Sequence, residues 1–209
     1  MARNRYLNNL DHPIVRESFR IIDQEIGQHN LNSSEYAIAR RVIHATADFE
    51  YLQLLEFSPD VINIAKQSLC AKLPIITDVT MVQQGIKTLV TKTFNNPVIS
   101  AVELAKTPIL AKTRTETGIL TAIKQYPQGI YVIGNAPTAL LALCEEIKQN
   151  NCLPALIVGA PVGFVKVMEA KQALVNTNIP KIVVKGRKGG SAVASAIVNA
   201  LLVLAAQKI

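Results

Sequence analysis

Four times from residue 74 onward a short apolar run breaks off in a loop of Gly, Asn, Pro or Asp, and residues with helical spacing follow. The segments are PIITDVTMVQQG (Pro74 to Gly85), IYVIGNAPTAL (Ile130 to Leu140), ALIVGAPVGFV (Ala155 to Val165) and KIVVKGRKGGSA (Lys181 to Ala192). Short β-branched runs bounded in this way read as buried parallel strands joined by crossover helices. NPVISAVEL, Asn96 to Leu104, reads as a further strand. Before the sheet, Pro13 opens a helix with an apolar stripe at Ile14, Phe19, Ile22 and Ile26, and Gly27 stops it. Ser33 or Ser34 caps a second helix through EYAIARRVIHAT, and Ser58-Pro59 opens a third, DVINIAKQSLCAKL. KTPILAKTRTETGILTAIKQY reads as a loop and a helix, and SAVASAIVNALLVLAAQ as the last helix. The pattern predicts an α/β fold of about five parallel strands with helices on both faces and an N-terminal helical extension.

At 209 residues the chain suits one buried unit spanning 1–209, and no stretch reads as a linker or a repeat. No apolar run approaches the roughly 20 residues of a membrane span. The opening Met-Ala-Arg-Asn-Arg leads into no secretion signal, so a cytoplasmic location is expected. Cys70, Cys144 and Cys152 lie in apolar settings and form no CxxC or Cys/His pair at metal-ligand spacing, so they read as buried reduced thiols and no metal site is expected.

The charge adds to this picture through its distribution. Residues 1–110 hold eleven groups of each sign, whereas residues 111–209 hold eleven basic and four acidic, so the net +7 accompanies the glycine loops. In a parallel sheet those loops emerge on one edge, where glycines admit a ligand closely and helix N-termini offer N–H groups to anions. The basic residues are scattered and lack interleaved aromatics, with 5 Tyr, 5 Phe and no Trp, which argues against nucleic acid and for a small polyanion.

Candidate chemistry concentrates in a few places. His12 precedes a helix and His29 sits in a polar turn, which suits structural roles. His44, in RRVIHATADFEY, has Arg40 one helical turn before it and, if the helix persists, Asp48 one turn after. Such a face would make a tunable imidazole fit for acid–base work, the alternative being a histidine that caps a helix end. GRKGGS, Gly186 to Ser191, joins Arg187 and Lys188 to glycines and a helix start, either an anion cradle or a structural turn. It lacks the GxxxxGK[ST] spacing of a nucleotide loop, and no GxGxxG follows a strand. GNAPT and GAPVGF read as rigid backbone walls, and Asp78, Thr80 and Arg114 add polar groups near strand exits.

RRVIHATADFEY, PIITDVTMVQQGI, IGNAPTAL, PVGFV and GRKGGSAVASAIVNAL, in this order and at this spacing, closely resemble the precorrin-8X methylmutase family of cobalamin biosynthesis. The likeness runs from HPIVRESF to the last helix. It implies a flavodoxin-like three-layer fold, a homodimer with the corrinoid site near the subunit interface, and migration of a methyl group from carbon 11 to carbon 12 of the macrocycle. The product would be cobyrinate from a cobalt-containing substrate, or hydrogenobyrinate from a cobalt-free one; HATADFE resembles the cobalt-containing branch. The resemblance puts the family's central histidine at His44, as general acid or electrostatic stabiliser.

The resemblance also implies substrate contacts from Asp78, Thr80, Arg114, Gly134, Asn135, Ala136, Gly163, Arg187, Lys188 and Gly189. In TRTETG, Arg114 matches the family's arginine, but acidic residues follow where many relatives carry small ones. Arg16, Ser18 and the His44 helix precede the sheet and are candidates to form the second wall of a site shared between subunits. The resemblance implies no diffusible cofactor, cobalt when present being part of the substrate. Two other classes stand beside this one: a corrinoid carrier, which would bind product without turnover, and a flavodoxin-like nucleotide-binding regulator, which the missing phosphate loop disfavours.

Overall fold

The computed structural model describes residues 12–207, so expectations resting on Asp11 and on the first five residues lie outside the described range. Six strands form one sheet: β1 (Leu55–Phe57), β2 (Ile75–Thr77), β3 (Val98–Ser100), β4 (Ile130–Ile133), β5 (Leu156–Gly159) and β6 (Lys181–Val184). Their order is β1-β6-β5-β4-β2-β3. Strands β2 to β6 are parallel, and β1 runs antiparallel to β6 with Leu55 opposite Val184. Without β1, the sequence of parallel strands is the flavodoxin order, whose direction of winding reverses between β2 and β4.

Ten helices accompany the sheet among the described residues: α1 (Pro13–Glu25), α2 (Ser33–Thr46), α3 (Tyr51–Leu54), α4 (Val61–Cys70), α5 (Thr80–Lys92), α6 (Ala101–Leu104), α7 (Arg114–Gln125), α8 (Pro137–Lys148), α9 (Val167–Val175) and α10 (Ser191–Ala206). Because successive strand residues point to opposite faces, each strand feeds two cores. Ile75, Ile130, Val132, Val158 and Ile182 pack with α1, α2, α4, α5 and α10; Ile76, Tyr131, Ile133 and Ile157 pack with α7, α8 and α9. Helix α10 is the centre of its layer: twelve of its sixteen residues are buried, and it packs on α2, α4 and α5. At about 1.5–3 kcal/mol per buried large aliphatic, this helix anchors the layer that carries His44. Opposite it, Gly118 is required by close approach, since a Cβ there would stand 2.0 Å from the Ala101 carbonyl oxygen.

Several local expectations change. The five expected parallel strands are present, and a sixth, antiparallel strand joins them at the edge, the three residues of β1 being too few to show a period. NPVISAVEL forms strand only over β3 and then turns into α6. Asn32, not Ser33 or Ser34, caps α2, through a capping box in which its Oδ1 accepts from the Ser34 and Glu35 N–H groups and Glu35 accepts from the Asn32 N–H. Helix α1 stops at Glu25, short of Gly27, and of its predicted stripe Phe19 and Ile22 are buried while Ile14 is 69% exposed. Ser58 and Pro59 precede α4, which begins at Val61, and the Ser58 hydroxyl accepts the Lys181 N–H instead. Cys144 and Cys152 are buried thiols, but Cys70, the last residue of α4, is exposed.

Candidate functional site

The carboxyl edge of the parallel strands gathers most of the candidate residues. Asp78 and Thr80 follow β2; Gly134, Asn135 and Ala136 follow β4; Gly163 follows β5; Arg187, Lys188 and Gly189 follow β6; and Arg114 starts α7. Thr113 caps that helix by accepting the Glu116 N–H, and its Oγ1 lies 3.0 Å from Thr138 Oγ1, which sets Arg114 beside the start of α8. In doubly wound folds a ligand anion sits where the winding reverses, on the N–H groups of the loop.

Here that cradle is already filled. The Asp78 side chain is completely buried, and its carboxylate accepts the N–H of Gly134 at 3.0 Å and those of Asn135 and Ala136 at 2.8 Å. Burial pushes the Asp78 carboxyl up from its ordinary range, and the backbone N–H groups oppose that shift. Asp78, Gly134 and Ala136, expected at the substrate, are thus internal: their polar groups satisfy each other, and the loop presents the exposed side chain of Asn135. A phosphate bound at the winding reversal would have to displace a protein carboxylate, which weighs against the nucleotide-binding reading.

The neighbouring loop pair, after β5 and β6, is built with the opposite sign. Lys171, on α9 and only 4% exposed, donates from Nζ to the carbonyls of Gly186 and Lys188, both at 2.7 Å. The Gly163 N–H donates to the Arg187 carbonyl at 3.3 Å, and the Gly190 N–H to the Ala160 carbonyl at 2.8 Å. Burial pushes the Lys171 ammonium down to about 8. Gly189 has φ of +151°, and a Cβ there would stand 2.4 Å from the Ala160 carbonyl oxygen, so the crossing of the two loops requires glycine. The Arg187 guanidinium lies 5.8 Å from the Phe164 ring, on the exposed side of the same loops.

His44 lies in the last turn of α2, just before the Asp48 turn that is tied to this edge, but not in the arrangement the spacing predicts. The helix ends at Thr46, and Ala47 takes a left-handed conformation (φ 53°), which swings Asp48 off the helical face. Asp48 Oδ2 then accepts from Lys188 Nζ at 2.5 Å, and Glu50 accepts from the same ammonium at 3.1 Å. The Lys188 ammonium holds the Asp48 carboxyl below its usual range. Arg40 pairs with Asp23 at 2.7 Å and lies over the Phe19 ring at 4.5 Å. His44 is exposed in the last turn and packs edge-on against Phe19, with ring centroids 5.6 Å apart. The Arg–His–Asp face is therefore replaced by an imidazole held by an aromatic ring, next to a turn tied to the GRKGG loop.

The remaining candidates divide. Thr80 is exposed at the start of α5, on the loop edge, whereas Ser18 bonds back to the Ile14 carbonyl at 2.9 Å within α1, on which Arg16 also lies. His12 caps α1, its Nδ1 accepting the Ile14 N–H, and His29 stacks on Tyr36. Sequence reasoning overlooked Lys171, although a signal was there: Val167, Ala170, Lys171 and Leu174 share one helical face, and a lysine in an otherwise apolar stripe needs a buried partner. Large apolar side chains also stand exposed on this edge, among them Met81, Leu110, Phe164 and Val165, at 70 to 95%. A cavity of about 760 Å³ lies at the opposite edge, lined by Cys144, Cys152 and Asn178 among others.

Comparison with known proteins bears directly on this arrangement. The precorrin-8X methylmutase family profile matches residues 13–204. The chain belongs to the precorrin-8X methylmutase family. It is 53% identical to the cobalt-precorrin-8 methylmutase of Synechocystis, over 94% of this chain and 97% of that one. With the cobalt-precorrin-8 methylmutase of Leptospira interrogans it shares 38% identity over 98% of both chains. The crystal structure of the precorrin-8X methylmutase from Thermus thermophilus superposes with a TM-score of 0.86 at 42% identity, covering 93% of this chain and 96% of that one. Membership fixes the reaction class: the protein is a methylmutase, an isomerase of cobalamin biosynthesis.

Proposed function

We propose that this methylmutase acts on cobalt-precorrin-8, moving a methyl group from carbon 11 to carbon 12 of the macrocycle to give cobyrinate. The observation that carries the reading is the carboxyl edge itself. It combines exposed apolar side chains at Met81, Leu110, Phe164 and Val165 with Arg187 and His44, a surface suited to the faces and carboxylated rim of a corrinoid. The cobalt-containing substrate is favoured by the names of the Synechocystis and Leptospira relatives and by the acidic HATADFE turn. Cobalt-free precorrin-8X, giving hydrogenobyrinate, is the second substrate to test.

The rearrangement is intramolecular: the bond from carbon 11 to the methyl carbon breaks as the bond to carbon 12 forms, with no net redox change. It needs no diffusible cofactor in this reading, and cobalt belongs to the substrate. What the chain supplies is orientation and charge. Arg187 binds a peripheral carboxylate through its guanidinium fork. His44 donates a hydrogen bond or a proton to the ring where charge develops during migration. Thr80, Arg114 and the Asn135 side chain extend the contact along the edge. Lys188, already paired with Asp48 and Glu50, fastens the His44 turn to the loop rather than binding substrate.

The same edge supports a homodimeric enzyme, and a cytoplasmic location belongs to the same proposal. The apolar residues of this edge stand open in one chain, and an isologous partner would supply a second wall, with α1, which carries Arg16 and Ser18, as the candidate element. No helix among the described residues is long and apolar enough to cross a membrane. Incubation of the purified protein with cobalt-containing and cobalt-free substrate, followed by absorption, tests the assignment. His44→Ala should retain product binding and lose turnover by about 100-fold or more. Binding of product without turnover by the native protein would establish the carrier reading instead.

A further inference from the structure

We propose that Lys171 is the positioning residue of the substrate-binding loop: its buried ammonium turns the carbonyls of Gly186 and Lys188 inward, so that the loop offers the Arg187 guanidinium, and not carbonyl oxygens, to an anionic substrate. The inference rests on the reading of Arg187 as a carboxylate-binding group.

Three consecutive carbonyls, those of Gly186, Arg187 and Lys188, are each engaged away from solvent, two by Lys171 Nζ and the middle one by the Gly163 N–H. Among the described residues no carboxylate accepts from Lys171 Nζ, whose partners there are the two backbone oxygens. A buried ammonium without a counter-ion is costly, and burial pushes this one down to about 8. A leucine or methionine would fill the apolar stripe of α9 without that cost. What an ammonium adds is two donors at a fixed point between residues 186 and 188, on either side of Arg187. Carbonyl oxygens aimed at the edge would repel substrate carboxylates; bound to Lys171, they do not. Gly163 and Gly189, at which the loops after β5 and β6 cross, complete the same clamp. The lysine is 4% exposed, so it acts through the loop and does not itself touch substrate.

The test is a double-mutant cycle of Lys171→Met and Arg187→Ala in the full chain. It is read by KM and kcat on cobalt-precorrin-8, by Kd for cobyrinate, and by the salt dependence of that Kd. Lys171→Met, which keeps the shape and removes the donors, should raise KM and Kd about 10-fold, change kcat less than 3-fold, and flatten the salt dependence. The double variant should bind no more weakly than Arg187→Ala alone, because both substitutions remove the same interaction. Unchanged KM in Lys171→Met, or losses that multiply in the double variant, would overturn the proposal. If Lys171→Met does not fold, Lys171→Gln is measured in the same cycle. Its amide N–H groups should restore at least part of the coupling, and additive losses there would equally refute it. Native protein that shows no turnover, or an Arg187→Ala variant with native KM, would instead refute the underlying reading of the edge.

Discussion

The two loop pairs at the carboxyl edge solve one problem with opposite signs. Between β2 and β4 a buried carboxylate, Asp78, consumes three backbone N–H groups; between β5 and β6 a buried ammonium, Lys171, consumes two backbone carbonyls. A loop at a strand exit has surplus polar groups of both kinds, and whichever kind is satisfied internally is lost to a ligand. The first loop pair is therefore closed to anions although it occupies the position where doubly wound folds bind them. The second turns its carbonyls inward and presents the exposed Arg187 side chain instead. The difference teaches that internal counter-charges, not the count of glycines or helix N-termini, set which backbone groups this edge leaves free for a ligand.

The largest effect is expected from breaking the first half of that comparison. Asp78→Ala leaves three N–H groups buried and unpartnered, which should destabilise the protein by about 3 kcal/mol or more in urea unfolding. Because the emptied cradle is now a further anion site, inorganic phosphate should raise the melting temperature of the variant by more than that of the native protein. Equal responses of the two proteins would mean that the cradle does not survive without the carboxylate.

A smaller effect distinguishes the two cations of the second loop. Arg187→Ala should weaken product binding about 10-fold, with a loss that shrinks as salt rises. Lys188→Ala should stay within about 3-fold, since its ammonium is held by Asp48 and Glu50 on an exposed surface. Reversal of that order would move the substrate's rim toward the His44 turn.

The last test concerns the charge of Lys171. Its folded value of about 8 lies below the ordinary 10.5, so between those pH values the unfolded chain binds more protons than the folded one. Stability from this group therefore rises with pH across that window, after the cost of burying the ammonium below pH 8. The difference between the native and Lys171→Met unfolding free energies should show this rise, while buried thiols and tyrosines, common to both proteins, cancel. A flat difference between pH 8 and 10.5 would show that the lysine stays charged in its clamp.

By itself the sequence determined the parallel strands after residue 74, the one-sided gathering of their loops, the basic bias of that edge and the family. All of these rest on local pattern: β-branched runs, turn residues and motif order. It did not show β1, whose three residues acquire strand geometry only by pairing with β6. Nor did it show which candidates are already paired within the protein. Asp78 meets Gly134 across 56 residues of sequence, and Lys188 meets Asp48 across 140. Nothing local marks Asp78 and Lys188 as paired within the protein until those contacts form, and Lys171 looks like a surface lysine until its helix packs. The pairing of buried charge with backbone is a property of segments brought together from afar, so only the tertiary structure decided where the edge is closed and where it is open.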